Sequence, residues 1–97
     1  MKVLLNDGLE KEGIHLLEEF GIETDSTKRD LKTLVADIGE FDALIVRSAT
    51  KVTREVIEAG AKGNLKIIGR AGVGYDNIDV TAASDNGIVV KCAPARR

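Results

Sequence analysis

Residues 42–72 read DALIVRSATKVTREVIEAGAKGNLKIIGRAG, and this stretch decides the fold. Ala43-Leu44-Ile45-Val46 is a continuous apolar run, the pattern of a parallel strand covered on both faces. After the loop Arg47 to Val52, Thr53 stands where a hydroxyl caps a helix, and Val56, Ile57 and Ala59 supply its apolar side. The region from Gly60 to Gly63 ends that helix, and Leu65 to Gly69 forms the next apolar run. Strand, helix and strand with short connections make a right-handed βαβ unit.

The same alternation continues in both directions. Upstream, Val3-Leu4-Leu5 is a strand that stops at Asn6-Asp7-Gly8, and Ile14, Leu16, Leu17 and Phe20 mark a helix from Glu10 to Phe20 closed by Gly21. Ile22 to Asp25 is short and polar, as an edge strand is. Thr27 and Asp30 read as a capping-box-like pair, with the hydroxyl at N-cap and the carboxylate at N3. Leu31, Leu34, Val35 and Ile38 then fall at i, i+3, i+4 and i+7 before Gly39. Downstream, Asp79 caps a short helix from Val80 to Asn86 with Gly87 behind it, and Ile88-Val89-Val90 is a fifth strand. The fold class is therefore α/β: a flavodoxin-like five-stranded parallel sheet of order 2-1-3-4-5 with helices on both faces, in a single domain spanning 1–97.

Composition narrows the function. At 97 residues, 43% hydrophobic and 31% charged, the chain suits one compact domain. A net charge of −2 and 3% aromatics without Trp give neither a polybasic nor a stacking surface, so no nucleic-acid partner is expected. The single cysteine, Cys92, excludes an internal disulfide and a Cys-rich metal site. No apolar run approaches a membrane span and no signal-type segment opens the chain, so a cytoplasmic setting is expected, with no membrane partner. Acidic side chains dominate residues 1–50 and basic ones 51–97, a balance that suits a small anionic ligand better than DNA.

In open α/β sheets ligands bind beyond the carboxyl ends of the strands. The third and fourth strand ends carry Arg47-Ser48-Ala49-Thr50-Lys51 and Arg70-Ala71-Gly72-Val73-Gly74. Two arginines on one rim, a Ser48 or Thr50 hydroxyl, and a glycine pair that lets backbone N–H groups converge would suit a carboxylate or phosphate. The residues alone leave a second use equally open, in which the arginines solvate strand ends and the glycines make a tight turn. Gly72-x-Gly74 is not a dinucleotide fingerprint, because Asn77 occupies the third glycine position. His15 reads as a solvated helix residue and Cys92 as an inert, partly buried thiol, leaving no catalytic or metal-binding residue to nominate.

The stretches DALIVRSATKVT and NLKIIGRAGVGYDNIDVTAASDNGIVV resemble the N-terminal part of the NAD-dependent D-2-hydroxyacid dehydrogenases, in their phosphoglycerate branch. The likeness runs from Met1 to about Val90. It implies a substrate-binding domain of an oxidoreductase in which Arg47 and Ser48 meet the phosphate of a phosphorylated 2-hydroxy acid and Arg70 supports the same anion. The backbone of Val73 and Gly74 would hold the substrate carboxylate, with Val73 also near the nicotinamide of NAD. The family's catalytic Arg, Glu and His lie in or after a nucleotide-binding Rossmann domain, for which the 97 residues hold no sequence. The chain alone is then expected to be inactive and to bind no NAD tightly. Cys92-Ala93-Pro94-Ala95-Arg96-Arg97 departs from the family's usual N-A-P exit, and an uncovered apolar sheet face able to self-associate is expected.

A non-catalytic receiver-like signalling domain uses the same fold, with Lys91 and Pro94 mildly in its favour. It requires an aspartate at the end of strand three, where Arg47 stands, and a further acid beside Asp7, where Asn6 stands.

Overall fold

The computed structural model describes residues 1–72 and 74–93. Its elements are β1 (Lys2–Leu5), α1 (Lys11–Glu19), β2 (Glu23–Asp25), α2 (Leu31–Asp37) continued by a 3₁₀ turn (Ile38–Glu40), β3 (Ala43–Val46), α3 (Arg54–Ala61), β4 (Ile67–Ala71), α4 (Val80–Asp85) and β5 (Val89–Ala93). The strands form one parallel sheet in the order β2-β1-β3-β4-β5, as the alternation predicts. Leu4 pairs with Leu44, Leu44 with Ile68 and Ile68 with Val90, so the apolar runs lie side by side.

The two faces of the sheet are unequally covered. On one, Leu4, Leu44, Val46 and Ile68 pack under Leu34 of α2, Val56 and Ile57 of α3, and Ala82 and Ala83 of α4. Leu4, Leu44, Ile57 and Ile68 are wholly inaccessible, and burying each such side chain contributes about 1.5–3 kcal/mol. On the other face, Val3, Leu5 and Ala43 meet Ile14 and Leu17 of α1, a helix with no fully buried residue. Ile45 and Ile67 on that face are half-buried, and Val89 is 50% exposed. The period-2 register puts Ile67 and Val89 in one row, so an apolar strip lies open beyond α1. Among the described residues no helix is long and apolar enough to cross a membrane.

Two local readings change. The N-cap of α2 is Asp30, not Thr27: its carboxylate accepts from Thr33 N at 2.9 Å. Thr27 lies three residues before that cap, in a segment where its own N–H donates to Asp25 Oδ1 at 2.8 Å and Arg29 N donates to Asn6 Oδ1, so the helix begins only at Leu31. The fourth and fifth strands also run further than their apolar runs, so Arg70 and Cys92 lie inside β4 and β5. Ladder pairing with a neighbouring strand carries these polar residues where hydropathy alone stops.

Thr53 caps α3 through Val56 N and Asp79 caps α4 through Ala82 N, both as predicted. The end of α3 meets the 3₁₀ turn backbone to backbone: Asn64 N donates to Gly39 O at 2.9 Å. A Cβ on Gly63 would lie 2.6 Å from Gly39 Cα, so only glycine allows this approach.

Candidate functional site

Burying a polar side chain is unfavourable unless its hydrogen bonds are satisfied. Among the described residues three polar residues are buried as a whole, Asn6, Thr50 and Asn77, and all lie at the carboxyl edge of the sheet. Asn6 follows β1. Its Oδ1 accepts from Arg29 N at 2.9 Å, and its Nδ2 donates to Arg29 O at 3.2 Å and to Thr50 Oγ1 at 2.9 Å. The β2–α2 connection is thereby fastened to the end of β1. Arg29 adds ion pairs to Asp25 and Asp37 and lies over the Phe41 ring.

Asp7 does the same for the loop after β3. Its Oδ2 accepts from Arg47 N at 2.7 Å and Thr50 N at 3.1 Å, and its Oδ1 accepts from the Thr50 hydroxyl at 2.6 Å and from Lys28 Nζ. The Asp7 side chain is 3% exposed. Burial pushes its carboxyl up, but the bonds from Lys28, the Thr50 hydroxyl and the two backbone N–H groups outweigh that and hold it at about 2. From the far side, Asn77 Nδ2 donates to both Arg47 O and Thr50 O at 2.7 Å. The isolated bridge between Val52 and Ile78 fixes Asn77 beside that loop.

The predicted binding residues divide under this geometry. Arg47 and Ser48 are exposed immediately beyond β3, their side chains facing solvent while Arg47 is bonded through both its N–H and its carbonyl. Arg70 faces Val46 across the ladder, one residue short of Arg47, so the two arginines do stand at adjacent strand ends. Its guanidinium, however, turns back on its own loop: Nη1 donates to Gly74 O at 3.0 Å. Gly74 has φ +86, a backbone conformation that favours glycine, while the Cys92 thiol donates to Gly72 O. Arg70 and Cys92 thus shape the glycine loop from beneath. Thr50 is not available as a ligand donor, since its hydroxyl is buried against Asp7. Val73, expected at both substrate and cofactor, lies outside the described residues, as does Pro94.

The glycine pair does not open a dinucleotide-type turn. After Gly74 the chain runs through Tyr75, Asp76 and Asn77 before α4 starts at Val80, so no helix N-terminus follows the glycines to receive a pyrophosphate.

Asp7 and Asn77 were missed as site residues by sequence reasoning. Their signals are present but ambiguous: an acid two residues past an apolar run, and an amide at the third position of a glycine pattern.

The fold is a doubly wound parallel α/β sheet whose buried polar residues, among those described, lie at the carboxyl edge of β1, β3 and β4, the edge where such sheets take ligands. The model of the D-isomer specific 2-hydroxyacid dehydrogenase family, catalytic domain, matches residues 3–96, and the chain belongs to that family. It is 53% identical over 96 residues to D-3-phosphoglycerate dehydrogenase 2, chloroplastic, of Arabidopsis thaliana, covering 96% of this chain and 15% of that protein. It is 49% identical over 96 residues to the hydroxypyruvate reductase of Thermotoga maritima, covering 96% of this chain and 30% of that one. The crystal structure of NAD+-bound 3-phosphoglycerate dehydrogenase from Entamoeba histolytica superposes with a TM-score of 0.78 at 34% identity, over 95% of this chain and 32% of that chain. The chain thus spans less than a third of the length of each of these relatives.

Proposed function

We propose that this chain is the substrate-binding portion of an NAD-dependent dehydrogenase that oxidises a phosphorylated D-2-hydroxy acid, 3-phosphoglycerate, to 3-phosphohydroxypyruvate in serine biosynthesis. The observation that carries the reading is the Arg47–Ser48 pair: solvent-facing side chains on a backbone bonded at Arg47 N and O, at the edge where such sheets take ligands. Arg47 offers a planar cationic fork and Ser48 a hydroxyl to the phosphate. Gly74 and the residue before it, Val73, take the carboxylate end, with Arg70 holding the loop in shape. The names of the phosphoglycerate dehydrogenase relatives support this substrate class.

NAD and the residues that move hydride and proton belong, in this reading, to a separate nucleotide-binding domain, with only Val73 reaching the nicotinamide. The 97 residues alone then bind substrate weakly and transfer no hydride. The half-covered sheet face around Val89 offers a surface for self-association. Titrating the chain with 3-phosphoglycerate while following backbone amide resonances tests the reading. Shifts centred on Arg47, Ser48 and Gly74 are expected, and a response scattered away from this edge refutes it. NAD reduction by the purified chain refutes the division of labour, and labelling by acetyl phosphate supports a receiver instead.

A further inference from the structure

We propose that Asp7 and Asn77 are positioning residues that clamp the Arg47–Thr50 loop from opposite sides and so aim Arg47 and Ser48 at the bound anion. The inference rests on the substrate-binding reading above and adds two residues to it.

The geometry is complementary. The loop has four residues, and at both of its ends the main-chain donor and the main-chain acceptor are engaged by side chains from elsewhere in the chain. Asp7 takes the N–H groups of Arg47 and Thr50, from 40 and 43 residues away. Asn77 gives its amide protons to the carbonyls of the same two residues, from 30 and 27 residues away. One side needs acceptors alone and carries a carboxylate; the other needs donors and carries an amide. With both ends fastened, the direction in which Arg47 and Ser48 leave the backbone is set before a ligand arrives, which lowers the ordering needed on binding.

Direct contact with the ligand is excluded for Asp7 on three grounds. It carries negative charge, its side chain is 3% exposed, and Lys28, Thr50 and the loop occupy both oxygens. It acts through the loop. Asn77 bridges the two strand-end segments, since it belongs to the stretch after Gly74 yet holds the loop after β3.

Amide hydrogen exchange and 3-phosphoglycerate titration of the whole 97-residue chain test the proposal. In the unmodified chain the Arg47 and Thr50 amides should exchange at least about tenfold more slowly than the exposed Ser48 and Ala49 amides. Asp7→Ala, which removes the acceptor oxygen shared by both amides, should abolish that protection, leave the Leu44 and Ile68 amides unchanged, and weaken 3-phosphoglycerate about tenfold. Asn77→Ala should weaken the ligand in the same sense. If Asp7→Ala does not fold, Lys28→Ala, at an exposed position, should speed Arg47 and Thr50 exchange in part. Unprotected Arg47 and Thr50 amides in the unmodified chain overturn the clamp whatever the ligand does. Lost protection with unchanged affinity overturns the aiming role. A protected loop that ignores 3-phosphoglycerate instead refutes the substrate assignment, so the two failures are distinguishable.

Discussion

Protonating or neutralising Asp7 should cost this fold a defined amount of stability over a defined pH range. Its carboxyl is held at about 2, against an ordinary 3.8. A folded-state value below the unfolded one means that stability is fully present above the unfolded value and is lost as pH falls through the folded one. The difference corresponds to about 2.5 kcal/mol, with little discount for solvent because the side chain is 3% exposed. At pH 3 an ordinary carboxyl is mostly protonated while Asp7 is mostly ionised, so about 1 kcal/mol has already gone. Urea unfolding of the wild-type chain and of Asp7→Asn, compared at pH 6 and pH 3, reads this directly. At pH 6 the variant should unfold at about 1–2 M lower urea. At pH 3 the gap in unfolding free energy should shrink by about 1 kcal/mol. Asp25, also lowered to about 2 by the Thr27 N–H and Arg29, titrates in the same range but is common to both proteins and cancels in the difference. A gap that stays constant from pH 6 to pH 3 would refute the assignment of this linkage to Asp7.

Other substitutions probe separate parts of the structure. Arg47→Ala should weaken 3-phosphoglycerate about tenfold in an amide-shift titration, with a urea midpoint indistinguishable from wild type because the side chain is exposed. Gly63→Ala places a methyl group against the Gly39 backbone and should destabilise by about 3 kcal/mol; a midpoint within error of wild type would show that the two turns can separate freely. Ile57→Ala, in the covered face, should cost about 2–5 kcal/mol by the same assay. Val89→Lys should lower the sedimentation-average mass at high concentration if the open strip associates, and an unchanged mass at every concentration argues against that surface.

How much of this was legible in the chain depends on the range of the interaction concerned. Strand and helix periods are local, so the apolar runs at Val3–Leu5, Ala43–Val46 and Leu65–Gly69 and the caps Thr53 and Asp79 predict the order of elements and the parallel sheet. The cap of α2 was misplaced by three residues. Which hydroxyl or carboxylate meets the helix start depends on where the preceding segment is held, and Asn6 holds it from the residue just beyond β1. Arg47 and Ser48 could be nominated because they directly follow a buried run. Arg70 could be nominated too, but its bond to Gly74 O, which makes it a loop support, follows from a turn the residue types alone do not specify.

The sequence by itself determined the alternation of elements, the family and the two strand ends where an anion could sit, because hydropathy period, turn chemistry and short motifs are written in neighbouring residues. Only the tertiary structure decided that Asp7 and Asn77 hold the Arg47 loop and that Thr50 faces inward. The physical reason is that a hydrogen bond between residues 27 to 43 positions apart depends on sheet register, which exists only once β1, β3 and β4 lie side by side.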